Sequence, residues 1–151
     1  MKKTFAFAFL FLCLGALAAE ARIGESQQEV ATRYGEAKKA ADRLKAPGAE
    51  TYHYLANGFG ITVVYLNGKS VWEMFERKDK EITDDDIKEL LKVNSSGGHS
   101  WHFEKKDKTW ERGDKKLVAF REPGHSDFFS IKDADAVKAA EGKTKPSAAG
   151  F

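Results

Sequence analysis

Four histidines are the side chains of this 151-residue sequence best suited to acid-base catalysis or metal binding: His53, His99, His102 and His125. His125 is followed directly by Ser126 and Asp127, which supplies the three residue types of a hydrolytic triad in consecutive positions. Adjacent residues cannot reach the geometry in which a base contacts a nucleophile, so this run predicts no triad. A small hydrolase built from distant residues stays an alternative, with His99, His102 or His125 as its base.

No other motif commits the chain to one chemistry. The sequence contains no Gly-x-Ser-x-Gly elbow and no His-Glu-x-x-His zinc motif. The consecutive acids Asp84, Asp85 and Asp86 lack the spacing of a calcium loop and suit a helix start instead. The sequence therefore predicts no catalytic residue, no metal and no cofactor, and favours a protein without enzymatic activity.

Aromatic side chains on strands are a second source of function. Trp72, Trp101 and Trp110 could stack on sugar rings or anchor a protein contact, although strand aromatics usually pack in a core. Trp101 and Phe103 lie two positions apart and therefore share one face of a strand. We select Trp72, Trp101 and His102 as candidate binding residues, because large or titratable side chains on strands can dominate an interface.

Capping sequences predict the helices that must position these residues. Residues 26–29, Ser-Gln-Gln-Glu, form a capping box, and Gly35 ends the short helix that follows. Residues 83–86 form a similar box, and Ile82 and Ile87 occupy the two positions of a hydrophobic staple. A short C-terminal helix is predicted to end at Glu141.

Two Asn-Gly pairs, at residues 57–58 and 67–68, predict type I′ turns between three antiparallel strands. Further strands are predicted at residues 100–105, 109–112, 116–121 and 127–131. The chain is therefore predicted to be α+β, with a short helix and an antiparallel three-stranded meander. The order of elements suggests a duplication, αβββ-αβββ, before the short C-terminal helix.

The middle strand of the first meander has apolar residues on both faces: Ile61, Val63 and Tyr65 on one, Val64 and Leu66 on the other. Residues 117–120 show the same pattern. Two alternatives follow. Either both faces of the sheet are covered within the monomer, or one face contacts a protein partner or a second copy of the chain.

The N-terminus has the organisation of a signal peptide over residues 1–18. Lys2 and Lys3 precede an apolar run over residues 5–17, which is too short to span a bilayer comfortably. Small residues predict cleavage after residue 18 or residue 21. Phe11 and Leu12 precede Cys13, which argues against lipidation of that cysteine. We expect one α+β domain over residues 22–141 and a disordered tail over residues 142–151.

Signal cleavage changes both the charge and the cysteine content. Lys2 and Lys3 account for two of the 25 Lys and Arg residues, so the mature chain is nearly balanced by its 23 Asp and Glu residues. A nucleic-acid partner is therefore not expected, and no stable membrane anchor remains after cleavage. The only cysteine is also lost, so about 130 residues must be stabilised by packing alone.

The mature chain resembles a group of small exported bacterial proteins in four segments: Arg22-Ile23-Gly24-Glu25-Ser26, Arg33-Tyr34-Gly35, residues 60–69 and Ile82-Thr83-Asp84. This resemblance implies export and carries no activity with it. A short capped helix before a meander is also similar in topology to the repeats of beta-lactamase inhibitory protein-like folds and of small outer-membrane assembly lipoproteins. The chain lacks the cysteines of both, so this likeness concerns topology.

These observations together predict an exported, non-enzymatic protein-binding or envelope-associated module, periplasmic or extracellular. We expect it to act through a sheet face or a loop edge. The alternatives are an exported inhibitor of a secreted enzyme, a small hydrolase and a glycan-binding domain.

Overall fold

A computed structural model describes residues 23–144 of the protein. Within that range the chain forms three helices: α1 (Gln27–Tyr34), α2 (Asp84–Val93) and α3 (Ala134–Thr144). It also forms eight strands: β1 (Lys38–Lys39), β2 (Ala49–Ala56), β3 (Phe59–Leu66), β4 (Lys69–Glu76), β5 (Trp101–Glu104), β6 (Thr109–Arg112), β7 (Leu117–Arg121) and β8 (Phe128–Asp133). The predicted α+β class is confirmed.

The boundaries of the predicted domain can be compared only in part. Helix α3 extends to Thr144, three residues beyond its predicted end at Glu141. The predicted signal peptide, both cleavage sites and residues 145–151 of the predicted tail lie outside the described residues. None of the helices within residues 23–144 has the length and apolar composition that crossing a bilayer requires.

All eight strands belong to one antiparallel sheet with the order β1-β2-β3-β4-β8-β7-β6-β5. Strands β1 to β4 follow the chain, and β5 to β8 follow it from the opposite edge. The two groups meet where β4 pairs with β8, and Phe75 lies opposite Phe129 in that ladder. Helix α2 therefore precedes four consecutively paired strands.

Local sequence signals set the turns and the helix starts. Asn57 and Gly58 have φ angles of 53° and 76°, and the second Asn-Gly pair has nearly the same values, as type I′ turns require. At α2, the Thr83 hydroxyl accepts a hydrogen bond from the Asp86 amide while the Asp86 carboxylate accepts one from the Thr83 amide. The predicted turns and capping boxes are thus confirmed.

Helices α1 and α2 cover one face of the sheet, which we call face A. Its core contains Val30 and Tyr34 from α1 and Ile87, Leu90 and Leu91 from α2, packed on strand residues that include Ile61, Val63, Phe75, Leu117, Ala119 and Phe129. The two helices therefore bury face A along both groups of strands.

The opposite face, face B, is covered over the first group of strands. Val64 of β3 and Met74 of β4 pack against Val137 and Ala140 of α3 and against Leu44 of the loop before β2. Strand β3 is consequently buried on both faces by the chain itself. For this strand, the first of the two alternatives raised by its sequence is correct.

Side chains from two strands and one loop hold α2 against the sheet. Arg77 donates to both carboxylate oxygens of Asp86, at 2.6 and 3.2 Å. Arg121 donates to Asp84 at 2.9 Å. At the other end of the helix, the indole nitrogen of Trp101 donates to the Leu91 carbonyl at 2.8 Å. Both ends of α2 are thereby fixed to the strands beneath it.

Replacing Asp86 should make the free energy of unfolding less dependent on pH between about 4 and 2. The hydrogen bonds from Arg77, with help from Thr83, lower the pKa of Asp86 from 3.8 to about 2. Its folded pKa lies below its unfolded value, so its contribution is present above about pH 4 and is lost as pH falls towards 2. After solvent screening we expect Asp86→Asn to cost about 1 kcal/mol at pH 7. Urea unfolding should show this difference closing by pH 2.

The exposed neighbour Asp85 provides the control for this measurement. The substitution Asp85→Asn should change stability little at either pH. A deficit of Asp86→Asn that persists unchanged at pH 2 would contradict the assignment.

The two tryptophans Trp101 and Trp72 form a matched pair for a second stability test. Trp101→Phe removes the hydrogen bond to Leu91, whereas no acceptor among the described residues pairs with the buried indole nitrogen of Trp72. We expect Trp101→Phe to lower the free energy of unfolding by about 1 kcal/mol more than Trp72→Phe. Urea unfolding at one pH measures both. Equal losses would show that the Leu91 bond does not contribute to docking α2.

Candidate functional site

The consecutive His125, Ser126 and Asp127 do not form a catalytic unit. The Ser126 hydroxyl donates to Glu81 at 2.9 Å, and the imidazole of His125 lies 4.0 Å from Asp127. The serine proton is therefore directed away from the histidine. This geometry agrees with the expectation that the run is not a triad.

The other two histidines of the hydrolase alternative have separate partners. His99 lies 3.9 Å from Asp114, whose carboxylate accepts two hydrogen bonds from Arg112 at 2.7 and 2.9 Å. These bonds lower the pKa of Asp114 to about 2, so the carboxylate is engaged by arginine. His102 contacts the Ser100 hydroxyl at 3.3 Å.

His53 lies away from these groups on β2 and contacts the Thr62 hydroxyl at 3.3 Å. Its ring lies above Gly60, where an added Cβ would be only 3.2 Å from the ring carbon Cε1. Within residues 23–144, no group of three or more His, Cys, Asp or Glu side chains is placed to hold a metal ion.

The three candidate binding residues are not gathered in one site. Trp101 is half-buried on face A, where it contacts α2. Trp72 and His102 both lie on face B, but β8, β7 and β6 separate their strands, a distance of about 19 Å at normal strand spacing. Trp101 therefore lies on the opposite face from the other two, and Trp72 and His102 lie on opposite sides of one surface.

That surface is the part of face B formed by β5 to β8, which we call the open face. Val118 and Phe120 of β7 point onto it, and neither belongs to the clusters buried under the helices. Lys132 lies between two rings, 5.1 Å from the centre of Phe120 and 5.3 Å from that of Trp72. The open face therefore presents apolar and aromatic side chains around one lysine.

Acidic residues surround this apolar centre. Glu104 and Glu111 lie on the same face of β5 and β6, as their pairing with Thr109 and His102 shows. Glu122 reaches the face from the following loop, where it accepts a hydrogen bond from Ser130 at 3.2 Å. The open face therefore carries three carboxylates in addition to Lys132.

A groove lies between α2, the β5–β6 hairpin and the loop that joins β7 to β8. It has a volume of about 1430 Å³. The rings of Phe103 and Trp110 line it with their centres 4.8 Å apart, and Trp110 also contacts Phe129 of the core at 5.6 Å. Phe103 is 49% exposed, although its type and strand position favour burial. The spacing of Trp101 and Phe103 indicates their shared face, but no local pattern in the sequence indicates this groove.

Lysines of the β5–β6 hairpin border the groove. Lys105 and Lys108 form no salt bridge with any described residue, and Lys108 has a φ angle of 52°. Residues with side chains adopt this left-handed region rarely. Lys115, at the next hairpin, has the same conformation with φ of 61° but does not line the groove.

No protein-family model and no curated protein matches the sequence. Among solved structures, the chain is similar to a cysteine-rich secretory protein from Staphylococcus aureus subsp. aureus Mu50, with a TM-score of 0.42 and 9% sequence identity. The match covers 76% of this chain and 44% of that chain, so this chain corresponds to less than half of that structure. At this TM-score the likeness carries no argument for function, and the open face and the groove are interpreted from their own residues.

Proposed function

We propose that the chain is an exported, non-enzymatic protein-binding module that contacts its partner through the open face. The observation that carries this proposal is a difference between two strands. Face B of β3 is covered by α3 and Leu44, whereas Val118 and Phe120 on face B of β7 belong to neither buried cluster. Apolar residues at the centre of an uncovered sheet are suited to a protein contact.

The proposed partner has a basic surface around an apolar patch. Glu104, Glu111 and Glu122 surround the open face, and the charge of Lys132 is already directed at two aromatic rings. Carboxylates at the rim of an interface attract cationic side chains and orient the encounter. Phe120 and Val118 would then supply the buried centre, where most binding energy arises. An inhibitor of a secreted enzyme would use the same surface.

The sheet order also supports a proposed repeat, with four paired strands after each helix rather than the three of αβββ. Strands β3 and β7 are the third strands of their groups, and the sheet order places them symmetrically about the β4–β8 pair. Helix α3 follows the second group in the chain but packs against Met74 of the first. A repeat in which only one unit receives this cover would leave the other with an open face.

The position of crosslinks tests the proposed surface. A photoreactive amino acid at Val118 should crosslink the chain to one protein of the envelope fraction, and the same group at the exposed Gln28 of α1 should not. Reversing the rim charges with Glu104→Lys and Glu111→Lys should reduce the yield about tenfold, because these carboxylates contribute to association.

Glu36→Lys, an exposed change next to α1, is the charge control and should leave the yield unchanged. Equal crosslinking from positions 118 and 28 would contradict the proposed surface. So would a crosslinking yield that Glu104→Lys and Glu111→Lys leave unchanged. A crosslinked product with twice the mass of the chain would show that the partner is a second copy of the chain.

The N-terminal residue of the protein recovered from the periplasm or the medium tests the proposed export. Cleavage at the small residues after the apolar run should yield a chain that begins at Ala19 or Arg22. Intact-mass measurement distinguishes the two. A chain that retains Met1 and remains in the cytoplasm would contradict export.

A further inference from the structure

We infer that the groove between α2 and the β5–β6 hairpin binds an elongated apolar anion, of which a fatty acyl carboxylate is the simplest example. The apolar body would lie on Phe103 and Trp110, and the carboxylate would contact Lys108. This inference does not depend on the proposed protein contact. Phe120 and Glu122 border both the groove and the open face, so the variants below are chosen at residues that belong to one of the two surfaces.

The walls of the groove suit an apolar chain. Ile87 and Leu91 of α2 form one side, and the rings of Phe103 and Trp110, tilted at 48° to each other, form another. Ligand sites are typically concave, mainly apolar and between about 300 and 1,000 Å³. This groove is larger, at about 1430 Å³, and it is open to solvent, so it leaves room for an extended chain.

The charges of the groove favour an anion. Arg121 is already committed, since it donates to Asp84 at 2.9 Å and to the Ile82 carbonyl at 2.7 Å. At the hairpin end of the groove, Lys105 and Lys108 form no salt bridge, and Asp107 is the acid that lies between them in the turn. Glu122 also lines the groove, but it lies in the loop after β7, where it accepts a hydrogen bond from Ser130. The ammonium groups of Lys105 and Lys108 would therefore attract the head group of an amphipathic anion and repel that of an amphipathic cation.

The backbone at Lys108 is a second, independent observation. Its φ of 52° suits glycine or asparagine, which this same chain uses at Asn57 and Asn67 for similar angles. A lysine there costs stability, and residues held in unfavourable conformations concentrate at functional sites. The ammonium group of Lys108 is thus present at the groove although another residue would fit the turn better.

This strain makes a decisive variant available. Lys108→Asn removes the charge and should leave stability equal or higher, so lost binding cannot be attributed to unfolding. Lys115→Asn relieves the same backbone conformation away from the groove and is the matched control. A second variant, Phe103→Ser, removes an aromatic wall of the groove, and Leu55→Ser is its control. Both side chains are large and apolar, and they are 49% and 64% exposed, respectively.

The experiment titrates the protein with decanoate below its micelle concentration and follows tryptophan fluorescence. We expect saturable binding, and binding of decyltrimethylammonium at least tenfold weaker. Lys108→Asn should weaken decanoate binding about tenfold, the usual value of one charge-assisted contact. Phe103→Ser should weaken it similarly, while Lys115→Asn and Leu55→Ser should leave it unchanged.

Several results would overturn the inference: no saturable binding, equal affinity for the cation, or the same loss in Lys108→Asn and Lys115→Asn. Vesicles containing phosphatidylglycerol separate the two sources of an acyl anion. Vesicle binding that Lys108→Asn abolishes would identify a membrane lipid, and decanoate binding without vesicle binding would identify a free acid. Val118→Glu on the open face should leave decanoate binding intact, so failure of one proposal is distinguishable from failure of the other.

Discussion

The antiparallel pairing of β4 with β8 joins two groups of strands into one sheet and fixes which side chains lie on each face. Phe75 and Phe129 face each other in the core under the helices, while Trp72 and Lys132 face each other on the opposite side. Because side chains alternate along a strand, a slip of one residue would bring Lys132 into the core and expose Phe129. The core and the open face therefore depend on the same register.

The two faces of this single sheet are covered by helices to different extents. Helices α1 and α2 lie over face A of both strand groups, but on face B the buried apolar residues of α3 belong to the cluster formed with the first group. The first group is consequently a closed, three-layered structure, whereas the second has two layers. Val118 remains half-buried at a position where its counterpart in the first group, Val64, is fully buried. The asymmetry of the cover, rather than the sequence of β7 itself, creates the surface.

Local features of the fold could be predicted from the sequence because short-range chemistry determines them. The Asn-Gly turns need residues that tolerate positive φ, and Thr83 caps α2 with an oxygen three residues from its partner. The junction of β4 with β8 depends on contacts more than fifty residues apart and leaves no local signal. The apolar pattern of residues 117–120 indicated two buried faces but could not reveal which would lack a cover. The strained turn at Lys108 also carries no signal, because lysine is common in polar hairpins.

The arginines that dock α2 also determine the charge of the groove beside it. A helix that begins with three aspartates would present a strongly negative end to its surroundings. Arg77 binds Asp86 and Arg121 binds Asp84, so two of these three charges are matched by cations from the sheet. Asp84 lines the groove but is paired there with Arg121, and Lys105 and Lys108 form no salt bridge with the helix. The same ion pairs that secure the helix over the core thus prevent the helix from neutralising the adjacent lysines.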